Sequence, residues 1–254
     1  MSAPELPRRV RAAMFLRLLA VQGSWNYETM LGNGIAFALE PALRRLPGGP
    51  RGEAYRAAMA REARYFNSHP YTAALAVGAL ARLELDGEAP ERIERFRAAL
   101  CGPLGSIGDQ LVWAGWLPFC AMLALFAFGL GATPLAAVLL FLVAYNVGHI
   151  WLCAWGLEAG WSGGLRVAAA LGTPAFRSAP QRLAALALVL GGAAIPLAAK
   201  RLATVVFCPS AWWVVGFAVG AAALAALLVR SRGRVQGWLA ALAVLTLATM
   251  AAAW

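Results

Sequence analysis

Gly102-Pro103-Leu104-Gly105-Ser106-Ile107-Gly108-Asp109-Gln110-Leu111-Val112-Trp113 is the stretch on which the reading of this chain turns. Beyond it the sequence runs into long apolar segments, and from residue 101 to the end only two carboxylates occur, Asp109 and Glu158. A charge beside or inside a bilayer is costly, so one kept there is a candidate functional group. Glycine allows a tight turn and a close backbone approach to a ligand. Non-helical backbone at membrane depth is tolerated only where protein or a water-filled cavity surrounds it. Gly102, Pro103, Gly105 and Gly108 are therefore expected to form a structural turn that breaks a membrane segment and presents Asp109 as an acceptor for hydroxyls. Asp109 equally suits the N-cap of a helix opening at Leu111. A phosphate-cradling loop is excluded, because the Gly-Lys-Ser/Thr ending is absent.

Composition points the same way. Of 254 residues 61% are hydrophobic and 13% charged, about half the charge of an ordinary soluble domain. An all-α integral membrane protein is expected. The net charge of +10 suggests nucleic acid at first sight, but the arginines are spread over segments flanking apolar runs, where positive charge sets orientation in membrane lipid. Nucleic-acid binding is rejected on that ground. Cys101, Cys120, Cys153 and Cys208 form no paired spacing, so neither a metal site nor a disulfide framework is expected. The apolar stretch near the N-terminus is short and interrupted by Arg17, which argues against a signal peptide.

Two regions follow. Residues 1–101 hold 14 of the 22 Arg and Lys and 10 of the 12 Asp and Glu. Amphipathic or interfacial helices are expected there over Val10–Ala20, Tyr27–Leu46, Glu53–Phe66 and Glu91–Ala99, the last with Glu91 and Arg95 in the favourable i,i+4 order. Pro47-Gly48-Gly49-Pro50 stops the second of these. Tyr71–Leu83 is apolar but short of the roughly 20 residues a span needs, so it is a half-span, an interfacial helix or a packed helix. Residues 102–254 form the membrane-embedded region, with about five transmembrane or re-entrant segments: Trp113–Leu130, Pro134–Trp155, Leu183–Ala199, Ala211–Val229 and Gly237–Trp254. With the N-terminus inside, the arginines at 166, 177, 182, 230, 232 and 234 fall on the cytoplasmic side, as the positive-inside rule requires. The outer side would carry the bare turn Gly131–Pro134 and the Lys200–Ser210 loop.

Three other constellations carry polar chemistry. Gln22-Gly23-Ser24-Trp25-Asn26-Tyr27-Glu28 combines hydrogen-bonding groups with an aromatic face, which suits a sugar ring. It equally suits an interfacial aromatic anchor with a Ser cap. Phe66-Asn67-Ser68-His69-Pro70-Tyr71 reads as a capping turn before a helix; His69 lacks a neighbouring carboxylate to make it a catalytic base. Tyr145-Asn146-Val147-Gly148-His149 puts an amide and an imidazole within a span, where such groups usually bond between helices. No nucleophile sits beside a base, so no catalytic residue, cofactor or metal is expected, and whether the chain counts as an enzyme rests on any complex it joins.

Taken together, these four segments resemble the IID subunit of the mannose/fructose/sorbose-family sugar phosphotransferase system. The matching pieces are QGSWNYE over Gln22–Glu28 with the GNGIAFALEPAL that follows, FNSHPY over Phe66–Tyr71, GPLGSIGD over Gly102–Asp109 with Trp113, and Tyr145-Asn146 followed by WGLEAG ending at Gly160. The resemblance covers roughly residues 11–165. It implies a bacterial inner-membrane subunit that joins a IIC subunit in a higher-order assembly. Soluble IIA and IIB proteins would supply the phosphoryl group for the sugar substrate, and this chain would not itself carry phosphohistidine. The expected substrate-binding residues are Trp25 as an apolar platform, Glu28 and Asp109 as hydroxyl acceptors, and Asn26, Asn67 and Asn146 in support.

The departures from the family pattern are specific. Gln110 stands where a Pro is usual, Leu117-Pro118 where an Arg-Pro pair is usual, and His149 and Cys153 where arginines follow the Asn of the later span. His and Leu cannot reproduce the bidentate, permanently charged guanidinium. A non-transporting regulatory or scaffolding IID-like subunit is therefore the alternative. A stand-alone channel or receptor would need no partner, and an unrelated membrane enzyme centred on Asp109 lacks a second catalytic group.

Overall fold

The computed structural model describes residues 6–167, 169 and 172–206. Two of the expected spans, Ala211–Val229 and Gly237–Trp254, lie outside the described residues, as do the arginines at 230, 232 and 234. The described chain is helical. Helix α1 is Arg8–Leu18, α2 Gly32–Leu43, α3 Glu53–Glu62, α4 Ala73–Leu85 and α5 Pro90–Gly108. A π-helical stretch, Asp109–Trp116, continues α5 directly into α6, Leu117–Gly129. Helix α7 is Pro134–Gly163 and α8 is Pro174–Val206. Three helical segments are long and apolar enough to cross a bilayer: Pro90–Gly129, Pro134–Arg166 and Phe176–Leu202. They cover, to within one residue at Leu130, the three expected spans that fall within the described residues.

The chain divides into two compact units. The first runs to Cys120 and resumes over Phe141–Ala187; the second takes Ala121–Leu140 and resumes at Leu188. The core of the first unit forms around α4. Eleven of its residues are buried, Leu75, Val77 and Leu80 completely. Burying a Leu side chain is worth about 1.5–3 kcal/mol, so α4 anchors the unit, packed against α2 and α5. Of the three readings open to Tyr71–Leu83, the packed helix is the one observed. Ions pin the surrounding helices. Arg61 on α3 grips Glu84 on α4 at 2.7 Å through Nη2, and Arg97 on α5 meets Glu62 at 2.8 Å. Burial pushes the Glu62 carboxyl above the usual carboxylate range, against the pull of Arg97. On the far side of α2, Glu40 collects Arg17 at 2.6 Å together with Arg44.

Several expected boundaries shift. Helix α2 begins at Gly32 rather than Tyr27 because Asn26 ties residues 24–29 into a turn. Helix α3 ends at Glu62, since residues 64–71 are spent on loop contacts. Helix α5 outruns Glu91–Ala99 in both directions, and the i,i+4 ion pair at its start is Arg92 with Glu88 at 2.9 Å rather than Glu91 with Arg95. Lys200 and Arg201 lie within α8 rather than in a loop. In the second unit Arg201 donates to the carbonyl of Phe128 and, at 2.5 Å, to that of Ala132. It thereby covers the negative end of α6, where a cation is favoured.

The largest correction concerns Gly102–Gly108. It is helix, not turn. The three glycines recur every third residue, which places them along one helical face. What that face requires is proximity: a Cβ on Gly108 would stand 2.2 Å from the His69 Cβ. The segment is nonetheless irregular from Asp109 onward. Pro118 has no N–H to offer the Ala114 carbonyl four residues back, and the widened π turn lies immediately before it.

Candidate functional site

The first two motifs are knitted together by backbone. The Asn26 Oδ1 accepts from the amides of Glu28 at 3.0 Å and Thr29 at 2.9 Å, and its Nδ2 donates to Ser24 O and Thr29 Oγ1. This is the side-chain-closed turn that Asn favours. It delivers Met30 in a left-handed conformation, φ 51°, from which Phe66 N–H donates to Thr29 O and Leu31 N–H donates to Phe66 O. Phe66 is completely buried.

From Phe66 the chain leads into an aromatic cluster. His69 Nδ1 accepts from the Tyr71 amide at 3.2 Å. Thr72 Oγ1 donates to Leu104 O at 2.7 Å, fixing this loop onto α5. The His69 ring meets Tyr71 edge-on at 5.1 Å and Trp113 at 5.4 Å. Tyr71 stacks on His149 at 3.8 Å and lies 6.0 Å from Tyr145. Burial, reinforced by the nearby His149, pushes His69 down to about 4, so it is neutral at physiological pH. Burial likewise pushes the Tyr71 hydroxyl well above the usual tyrosine range. His69 Nε2 is buried with no hydrogen-bond partner among the described residues.

Beside the cluster lies a half-open cavity of about 530 Å³. The π stretch supplies Leu111, Val112 and Trp116, α7 supplies Val147, Gly148, Trp151 and Leu152, and α8 supplies Phe176, Ala179, Arg182 and Leu183, with Tyr71 completing the wall. Trp116 is locked: its Nε1 donates to Tyr145 O at 3.3 Å, and its indole occupies the room left by Gly148, where a Cβ would fall 2.4 Å from Nε1.

The segment Phe66–Tyr71 is thus the hub: the first motif is tied to Phe66 through Thr29 and Leu31, the third reaches His69 and the fourth reaches Tyr71, but the predicted substrate residues do not share one pocket. None of them lines the cavity. Trp25 is 47% exposed and rests edge-on against Tyr27. Asn26 spends its amide on its own turn. Glu28, Asn67 and Asp109 are exposed. Asn146 is exposed and donates to Leu142 O at 2.8 Å along its own helix. Sequence reasoning passed over Tyr71, Trp113, Trp116 and Tyr145 because aromatic residues in apolar runs look like ordinary core, and His69 for want of a carboxylate neighbour. Of the departures, His149 joins the cluster, Cys153 is completely buried, Gln110 is exposed and Leu117 opens α6. Among the described residues no three His, Cys, Asp or Glu gather as metal ligands, and no nucleophile sits against a base.

The fold and this cluster define a helical membrane protein whose polar and aromatic motifs meet at the edge of the spans. The chain belongs to the PTS system mannose/fructose/sorbose family IID component, whose profile matches residues 5–207. It is 30% identical over 193 residues to the mannose-specific EIID component of Escherichia coli K12, covering 72% of this chain and 65% of that relative's length. It is 30% identical over 165 residues to the fructose permease IID component of Bacillus subtilis, covering 61% of this chain and 57% of the relative. The chain thus spans less than two thirds of the length of either relative. A cryo-EM structure of the mannose transporter ManYZ with microcin E492 has a chain similar at TM-score 0.58 and 28% identity, covering 76% of this chain and 71% of that one. Another structure, described as a membrane protein, matches at TM-score 0.65 and 27% identity, covering 75% of this chain and 71% of that one.

Proposed function

We propose that this chain is the IID membrane subunit of a mannose-type phosphotransferase permease. It assembles with a IIC subunit in the bacterial inner membrane, N-terminus in the cytoplasm, and the pair moves a hexose or amino sugar that IIA and IIB phosphorylate. The observation that carries this reading is that the second, third and fourth motifs meet in one cluster around His69 and Tyr71, with the first tied to the adjoining Phe66 through backbone. Generic helix packing does not require those residue types to meet. Trp25, Asn26, Glu28, Asn67, Asp109 and Asn146 line or support the sugar path. Asn26 acts by shaping its loop rather than by meeting the sugar. Catalysis is assigned to the partners; among the described residues no nucleophile sits against a base.

The test is phosphoenolpyruvate-dependent uptake into vesicles carrying this chain, its IIC partner and the soluble phosphotransfer proteins, over a panel of hexoses and amino sugars. Uptake that vanishes when this chain is omitted supports the permease, and Trp25→Ala or Asp109→Asn should then weaken it. A IIC–IID complex that purifies intact but takes up no sugar favours the non-transporting subunit, a reading motivated by His149 and Cys153 at positions where the family usually has arginine.

A further inference from the structure

The cavity beside the aromatic cluster is chemically unlike a sugar site. A sugar needs several directional partners, and these walls are aromatic and aliphatic. The Trp116 Nε1 is already committed to Tyr145 O. Val147 and Trp151, each 59% exposed on α7, open the cavity outward along a helix long and apolar enough to cross a bilayer. One lining residue is charged, Arg182. It is exposed and has no ion-pair or hydrogen-bond partner among the described residues. The carboxylate of α7, Glu158, is already taken by Arg11 at 2.7 Å.

Depth sets the remaining term. Arg182 lies six residues into the apolar segment Phe176–Leu202, about 9 Å along the helix axis from its start. A long guanidinium side chain at that depth snorkels to the headgroup layer. An apolar slot that opens sideways and has one cation in its lining, unpaired among the described residues, has the charge and polarity pattern of a single anionic amphiphile.

We propose that this groove is a binding site for an anionic phospholipid of the surrounding bilayer, one acyl chain lying between Trp116, Trp151 and Phe176 and the phosphate held by Arg182. The apolar walls distinguish it from a site for a free anion, which would gain nothing from them. The lipid fastens the π stretch to α7 and α8 and seals the side of the aromatic cluster that faces the membrane.

The proposal is independent of transport and is tested by binding. The full chain, purified alone and together with its membrane partner, is titrated in mild detergent with dioleoyl phosphatidylglycerol or dioleoyl phosphatidylcholine. Bound lipid is counted by native mass spectrometry. Phosphatidylglycerol should be retained about fivefold over phosphatidylcholine, with and without the partner. Arg182→Gln should erase that preference and leave acyl binding in place. Ala179→Trp, which fills the slot, should remove both lipids. Because Arg182 is exposed, its variant folds and decides the matter even if Ala179→Trp does not. Equal retention of the two lipids, or an unchanged preference in Arg182→Gln, overturns the proposal. Displacement by millimolar inorganic phosphate overturns it in favour of a free-anion site. Loss of lipid when the partner binds overturns it in favour of a protein interface.

Discussion

Helices α4 and α7 are both apolar and lie against each other, yet they solve opposite problems. Helix α4 is 13 residues long and buries 11 of them inside protein. Helix α7 is 30 residues long, and only 11% of its most apolar stretch is buried. The first is apolar all round because protein surrounds it. The second is apolar all round because lipid does. The charges they tolerate differ accordingly. Helix α4 admits Glu84 because Arg61 meets it, whereas the apolar part of α7 carries only neutral polar groups such as Asn146 and His149. Composition does not separate a core helix from a span; length and partners do.

The most damaging way to break the comparison is at the seam. Backbone touches backbone there: a Cβ on Gly160 would fall 2.2 Å from Leu75 O, and one on Gly78 would fall 2.2 Å from Leu157 O. Neither carbonyl belongs to a flexible side chain, so neither can give way. Gly160→Leu should therefore abolish the monodisperse protein in size-exclusion chromatography. A monodisperse variant with an unchanged melting temperature would mean that the helices do not cross so closely.

The next largest effect separates core from lipid. Leu80→Ala on α4 opens a cavity in a fully buried site and should cost about 2–5 kcal/mol. Val143→Ala on α7, 61% exposed, removes methyl groups from a surface that lipid can refill and should cost well under about 1 kcal/mol. Denaturation in detergent compares the two. Equal losses would place Val143 in a protein contact instead.

How much of this was legible in the sequence depended on which physical term dominated. The three spans that fall within the described residues were legible, because a run of about 17 or more apolar residues is long enough to cross hydrocarbon and too long for most buried core helices. The meeting of the motifs was not legible, because no local pattern says that His69 reaches Gly108. The glycine segment was misread for an instructive reason. Glycine signals both a turn and a close approach, and only Gly108 of the three is held by a close approach, to a residue far away in sequence. Asp109 drew attention by its charge, whereas the cluster is built from aromatic rings that the apolar background concealed.

His69 sharpens the contrast between a buried polar group and its exposed neighbours. Its folded-state value, about 4, is below the ordinary 6.5, so the native state favours the neutral ring. Stability from this group is complete above about pH 6.5 and is lost as the pH falls through about 4. The full difference is roughly 3 kcal/mol. Thermal unfolding of the wild type should fall over that window. His69→Asn keeps an acceptor for the Tyr71 amide and should flatten the slope; an unchanged slope would place the titrating group elsewhere.

The smallest effect tests the glycine face itself. Gly102 and Gly108 belong to one motif and one helix, but a Cβ on Gly102 would meet nothing within 4 Å, while one on Gly108 would strike His69. If the segment is helix, Gly102→Ala should raise stability by about 0.5–1 kcal/mol, because Ala loses less backbone entropy in a helix than Gly. If it were the turn that its composition suggests, the same change would give no such gain. Gly108→Ala should destabilise, since the His69 ring, held by Tyr71 and Trp113, has no room to retreat. The opposite signs of two identical substitutions, read by melting temperature in the same detergent, separate a helix glycine kept for contact from one that contact does not require.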